Sequence, residues 1–395
     1  MLAYLWVFAA SAGVSFVATP VMALLSARVG WIDRPSDRKV HPRPTPTLGG
    51  AAILLAVAAG LGVSWVVPFL SALHETSSDI EAALIGAVVV FVLGAIDDTL
   101  GVSPLGKLAG QILAGGLIVL LGVQLLFFYV PGGIVSLDPT LAVPLTVLFV
   151  VLVMNAVNLI DGLDGLAAGM VAIGSIAFFL YMVHAPGVDG SPTTAALLSA
   201  VVAGAAIGFL PWNFFPAKIF MGDSGAMVLG LLLAVAAISG VGRNPYPPSG
   251  GDFAAFAIPI AVPAVVLAIP LLDVVLAIAR RMRRGGPIMR ADKEHIHHRL
   301  MVIGHSHRTA VLLMYLWSAL ISTCALAVAF INGRLLVGSI VVAAFVLAVA
   351  IPRVVLGGRI RRARRAELEP SEPEPHARPE LTVVPDPPSE VRDSA

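Results

Sequence analysis

Charge and cysteine are the scarce commodities of this sequence. Charged residues make up 12% of the 395 positions, about half the ~25% usual for soluble domains, which excludes an ordinary soluble enzyme with a solvated surface. The lone cysteine, Cys324, rules out an internal disulfide and a thiolate metal cluster. It lies in an apolar block and reads as a buried structural thiol. No HExxH motif is present, no internal repeat stands out, and no stretch has the composition of a separate soluble catalytic domain. Basic residues are missing before the first apolar block, Leu2 to Ser26. That block is too long for a signal-peptide core and reads as a retained span.

Apolar sequence is what the chain has in quantity, at 58% of residues, arranged in blocks that approach or exceed the ~20 residues a bilayer core requires of a helix. The expected fold is an all-α polytopic membrane protein with about eleven transmembrane helices, over 3–28, 48–70, 81–96, 105–127, 141–157, 165–183, 194–210, 225–241, 253–280, 309–331 and 334–356. The connections alternate sides. Of the 25 lysines and arginines, all except Arg243 and Arg334 fall in one set, counting the C-terminal tail and span ends. The positive-inside rule then puts the N-terminus outside and the C-terminus in the cytoplasm. Residues 1–358 form the expected transmembrane catalytic domain, with its active-site loops cytoplasmic. Residues 359–395 begin with a basic run, Arg359 to Arg365, suited to anionic headgroups. The Pro/Glu-rich remainder has little to bury and reads as disordered and dispensable for chemistry. The net charge of +1 gives no reason to expect a nucleic-acid partner.

Any chemistry is therefore expected at helix ends, and the polar motifs collect on one side only. The outer connections, such as HETSSDIE and PGGIVSLDPT, are short and turn-like. A transporter is the alternative of another class, for nucleotide sugars or lipid-linked sugars. It would place ionisable groups near mid-membrane and polar groups at both mouths. On the inner side, the first loop offers Lys39, His41 and Arg43 before Gly49-Gly50; alone it could be a positive-inside anchor. Asp97 and Asp98 end an apolar span, where adjacent carboxylates repel unless a cation neutralises them. Mg²⁺ is the natural candidate, a hard ion that brings substrate phosphates with it. Lys107 follows at the opening of the next span, placed to meet a phosphate. Asn155, Asn158 and Asp161 recur every three residues, roughly one helix face, and Asp164 follows among glycines. Such a density of polar groups between apolar spans is costly without a partner. Asp223 sits in a Gly-Asp-Ser-Gly turn where it could be a metal ligand or, as could Ser224, a plain N-cap. Trp212, Phe214 and Phe215 read as an interfacial aromatic belt. Finally, Arg280 to Arg308 carries His295, His297, His298 and Arg299, read as an anion-binding cluster rather than a zinc site. Asp273, inside the span 253–280, reads as a span cap near the interface.

The series D-R-K-x-H-x-x-P-T-P-x-x-G-G, I-D-D, N-x-x-N-x-x-D-G-x-D-G, F-x-G-D-S-G and H-x-H-H-R, in that order, resembles the polyprenyl-phosphate N-acetylhexosamine-1-phosphate transferases, over roughly residues 30–310. The resemblance implies a Mg²⁺-dependent reaction, with Mn²⁺ able to substitute, at a cytoplasmic cleft of a bacterial inner-membrane enzyme that acts as a homodimer. It implies a catalytic set of Asp97, Asp98, Asp161, Asp164 and His298, one of the paired aspartates being a candidate base. It implies substrate contacts from Lys39, His41, Lys107, Asn155, Asn158, His295, His297 and Arg299, and metal ligation by Asp223 with Asp98. The pattern His295-Ile296-His297-His298-Arg299 resembles the N-acetylglucosamine branch, so UDP-GlcNAc is the expected donor and a polyprenyl phosphate the acceptor. The phospho-N-acetylmuramoyl-pentapeptide transferase branch is the nearer alternative.

Overall fold

The computed structural model describes residues 1–33, 43–130, 133–184, 191–242 and 306–330, with isolated positions 338, 342 and 346. The expected span 253–280, nearly all of 334–356, and the tail 359–395 lie outside the described residues, as does Asp273. In chain order the helices are α1 (Leu2–Val29), α2 (Gly49–Val66), α3 (Pro68–Thr76), α4 (Asp79–Leu100) and α5 (Pro104–Leu120). They continue as α6 (Pro139–Ile160), α7 (Leu166–His184), α8 (Thr194–Asn213), α9 (Gly222–Ala237) and α10 (His307–Phe330), with a π-helical turn, Ile238–Gly242, closing α9. Eight of these segments are long and apolar enough to cross a membrane, and α5 falls just short in length. The chain is a multi-pass, predominantly α-helical membrane protein.

Burial separates an inner layer from a rim. The apolar stretches of α9 and α8 are 89% and 83% buried, against 22% for α1. The rim helices turn Leu24, Leu113, Leu120 and Leu148 outward, the surface a lipid environment tolerates. Between helices the contacts are close and small, the mode expected where apolar burial gives no advantage over lipid. Ser15 Oγ donates to Ala205 O at 2.8 Å across α1 and α8, and side chains at Gly204 and Gly208 would run into the α1 backbone. On the other flank of the bundle, Gly50 of α2 and Gly94 of α4 lie against Ser224 and leave no room for a Cβ. The first turn of α9 is thus gripped from two sides.

Three details depart from the sequence expectation. The span placed at 48–70 breaks at Val67, which precedes Pro68 and takes the extended φ −88°, ψ 111° that this position favours; a second helix, α3, starts at the proline. The span placed at 105–127 ends at Leu120, because Gly122 turns the chain at φ 98°. Phe127–Val130 (β3) instead pairs antiparallel with Gly133–Ser136 (β4). A second short ribbon joins Ile32–Asp33 (β1) to Thr45–Pro46 (β2). Pro46 O accepts from Phe220 N at 2.8 Å, and Gly49 N donates to Phe220 O at 3.1 Å. These bonds tie the connection after α1 to the connection between α8 and α9. Cys324, expected to be buried, is only half-buried in α10.

Candidate active site

Five separate connections meet at one end of the bundle around a cavity of about 610 Å³, within the usual range for ligand sites. Its wall takes Trp31 and Asp33 from the end of α1, Asp97 and Asp98 from the last turn of α4, and Asp161 to Asp164 from the α6–α7 turn. Asn213, Phe220 and Asp223 come from the α8–α9 connection and His307 from the start of α10. All five aspartates singled out in the sequence therefore line one space, joined by Asp33. Among the described lining residues there is no lysine or arginine.

The lysine that pairs with two of these carboxylates sits behind the wall. Ser103 accepts from Gly106 N at 3.1 Å and starts α5; Lys107 lies one turn in. Its ammonium bridges Asp97 Oδ2, at 2.9 Å, and Asp223 Oδ2. With its amide nitrogen turned toward Asp223, Asn158 donates to Asp223 Oδ1 at 2.8 Å and accepts from Lys107 Nζ at 3.0 Å. That satisfies all three N–H groups of the ammonium. The second oxygen of Asp97 accepts from Val102 N at 2.7 Å, closing the end of α4.

Asp98 points elsewhere. Its Oδ1 accepts from Asp223 N at 2.8 Å, and its Oδ2 from Ser224 N at 3.2 Å and Ser224 Oγ at 2.8 Å. Met221, at the N-cap of α9, provides no side-chain bond, so neither Asp223 nor Ser224 is the cap: a residue of another helix is.

The three-residue spacing of Asn155, Asn158 and Asp161 does not keep them on one face, since each step of three falls about 60° short of a full turn. Asn158 reaches the ion pair. Asn155 is instead locked to Gln111, donating to its Oε1 at 2.7 Å and accepting from its Nε2 at 3.3 Å, and is absent from the cavity wall. Asp161, just past the end of α6, faces the cavity. Burial first, then the charges of Asp223, Asp98 and Asp164, push its carboxyl well above the ordinary range. Asp164 Oδ2 accepts from Ala217 N at 2.9 Å and pins the α6–α7 turn to the α8–α9 connection. Asn213 does the same, accepting from Gly165 N at 3.1 Å and donating to Ile219 O at 3.0 Å.

Lys39, His41, His295, His297, His298 and Arg299 lie outside the described residues. Three residues escaped the sequence reading. Gln111 is a polar residue within an apolar helix, a visible signal. Asn213 was hidden among aromatic neighbours. His307 opens an apolar helix, and its Nε2 is buried without a partner. Its ring stacks on Phe215 with centroids 4.3 Å apart. Phe215 thus backs a cavity residue rather than serving only as part of an interfacial belt.

The fold and site define a multi-pass membrane protein with an acidic cavity at one end of an apolar bundle. The comparisons give the class a family. The description glycosyl transferase family 4 matches residues 80–241, which contain all five carboxylates and Lys107. A decaprenyl-phosphate N-acetylglucosaminephosphotransferase of Mycobacterium tuberculosis is 39% identical over 343 residues, 84% of either chain. The Mycobacterium leprae protein of the same name is 40% identical over 83% of this chain and 85% of its own. A phospho-N-acetylmuramoyl-pentapeptide-transferase of Mycobacterium bovis is 33% identical over 81% of this chain and 94% of its own. The chain belongs to glycosyl transferase family 4.

Proposed function

We propose that this protein transfers GlcNAc-1-phosphate from UDP-GlcNAc to a polyprenyl phosphate, decaprenyl or undecaprenyl, and so starts a cell-envelope polysaccharide. The observation that carries this reading is the gathering of Asp97, Asp98, Asp161, Asp164 and Asp223 around one cavity at the end of an apolar bundle. A soluble nucleotide sugar and a membrane lipid headgroup can meet there. The higher identity to N-acetylglucosaminephosphotransferases than to the pentapeptide transferase supports the donor. The proposed setting is the bacterial cytoplasmic membrane, with eleven spans, the N-terminus outside and the cavity on the cytoplasmic face, as the lysine and arginine bias requires.

The residues suit Mg²⁺. The described wall residues include six aspartates and no lysine or arginine, a set that favours a cation and repels phosphates until one is added. Asp97 and Asp223 already share one, the Lys107 ammonium. Among the described residues no group of three or more ligands is arranged around a metal position; Mg²⁺ generally takes one or two carboxylates and completes its shell with water and phosphate oxygens. Asp223 is the carboxylate we assign to it. Bound there, the ion would neutralise phosphate charge.

Phosphoryl transfer gains mainly from positioning and charge neutralisation. An oxygen of the polyprenyl phosphate attacks the β-phosphorus of UDP-GlcNAc; the bond from that phosphorus to the bridging oxygen breaks, and UMP leaves with it. A phosphate monoester is largely a dianion at pH 7, its second pKa being near ~6, and attacks without strong base help. Direct displacement therefore ranks above a covalent aspartyl intermediate. Lys107 orients Asp97 and Asp223, and Asn158 bonds both Asp223 and Lys107. Lys39 and the histidine cluster at 295–298 follow or precede wall residues in the chain and provide the cationic contacts proposed for the diphosphate.

Purified protein with Mg²⁺ and decaprenyl phosphate should release UMP from UDP-GlcNAc. UMP release only from UDP-MurNAc-pentapeptide would replace this reading by the pentapeptide-transferase one. Label from UDP-GlcNAc trapped on the protein without lipid would overturn direct displacement.

A further inference from the structure

We propose that Asp98 is a positioning residue: it holds the first turn of α9 and thereby aims Asp223, and is neither a base nor a metal ligand. Resting on the transferase reading only for its activity readout, the inference follows from where the carboxylate's bonds go. A carboxylate offers about four lone-pair sites, and three are taken by Asp223 N, Ser224 N and Ser224 Oγ. Two of these donors are backbone N–H groups that the start of a helix leaves without intrahelical partners. The helix's own N-cap, Met221, satisfies neither through its side chain.

The surrounding contacts leave that turn no other resting place. Gly222 has φ 70°, and a Cβ there would meet Asp98 Oδ2 at 2.5 Å. Gly94, one turn before Asp98 on α4, touches the Ser224 backbone, and Gly50 packs against Gly225. Asp98 and Gly94 therefore act together, one as hydrogen-bond clamp and the other as the close approach that lets the clamp reach. Its neighbour Asp97 contrasts sharply, giving Oδ2 to the Lys107 ammonium. The adjacent pair thus divides into one carboxylate turned to the ion pair and one turned to the helix end.

The test compares Asp98→Asn, Asp98→Ala, Ser224→Ala and the Asp98→Ala/Ser224→Ala double variant as purified full-length protein, by thermal melting and by kcat and KM for UDP-GlcNAc. An asparagine can still accept from Asp223 N and donate to Ser224 Oγ, whereas a base or an ionised metal ligand is lost in both replacements. Asp98→Asn is expected to keep about tenfold more kcat than Asp98→Ala, because alanine leaves the Asp223 N–H without the acceptor that asparagine still offers, with KM little changed. Melting temperature should fall in the order wild type, Asp98→Asn, Asp98→Ala. Ser224→Ala should lose kcat severalfold, and the double variant should be no worse than Asp98→Ala. Equal loss of kcat in Asp98→Asn and Asp98→Ala, at wild-type melting temperature and with Ser224→Ala normal, would overturn the assignment. Should wild type release no UMP from UDP-GlcNAc, the functional reading fails, while the melting order still decides the clamp. Should Asp98→Ala fail to fold, the melting temperatures of Asp98→Asn and Ser224→Ala decide it: both lowered supports the clamp, both at wild type contradicts it.

Discussion

The two ends of the helix bundle treat polar groups in opposite ways. At the end away from the cavity they pair with each other. Ser64 Oγ meets His74 Nε2 at 2.8 Å, and His74 Nδ1 meets Glu81 Oε1 at 3.2 Å. Asp79 accepts from Ser239 at 2.6 Å, and Tyr4 OH accepts from Thr193 N at 3.0 Å. At the cavity end six aspartates line one space and Lys107 serves two of them. Like charges held together in a low-dielectric setting cost stability unless something outside the chain compensates. Polar groups at the far end are scattered in small pairs, whereas carboxylates at the cavity end are crowded together.

The largest expected effect that sharpens this contrast is at Lys107. Lys107→Met leaves Asp97 and Asp223 facing each other without their cation, and turnover should fall by at least about a hundredfold, the usual cost of removing a preorganised charge from a phosphoryl-transfer site. Steady-state UMP release measures it, and activity within a few-fold of wild type would mean that the ion pair is only structural.

Asp161 comes next, through pH. Its raised pKa means that the folded protein keeps a proton the unfolded chain loses near pH ~4. Stability therefore falls as pH climbs from that value toward the folded pKa. Asp161→Asn should remove that decline and melt higher than wild type at neutral pH while turning over poorly. Parallel melting curves across pH for the two proteins would show that Asp161 is already ionised in the fold.

The far end supplies the smallest effect. His74→Leu breaks the Ser64–His74–Glu81 chain and should cost about 1 kcal/mol of stability, with UMP release within about twofold of wild type. A large loss of activity without a loss of stability would break the division between the two ends.

Much of this was legible in the sequence, for identifiable reasons. The helices follow from apolar blocks of bilayer length, and the one-sided placement of Asp97, Asp98, Asp161, Asp164 and Asp223 follows from counting alternating connections. Their facing one cavity needed only that the connections on one side be neighbours. The sequence could not show which way each side chain turns. Asn155 and Asn158 look equivalent by spacing, yet one binds Gln111 and the other Asp223. Asp97 and Asp98 look like a matched pair, yet adjacent helix positions point about 100° apart and meet different elements. The break at Val67–Pro68 was readable from the proline; the β3–β4 ribbon was not, because Phe127 to Val130 continues an apolar run that suits helix and strand alike.

The central claim is that the carboxylates of this cavity work through a divalent cation on phosphorylated substrates, with Asp223 as its principal ligand. The most direct measurement is UMP release from UDP-GlcNAc by Asp223→Asn, alongside its melting temperature and a Mg²⁺ titration of the wild type. Loss of UMP release in a variant that melts at or above the wild-type temperature, together with a Mg²⁺ requirement of the wild type, is the expected result. Wild-type rates of UMP release from Asp223→Asn would contradict it.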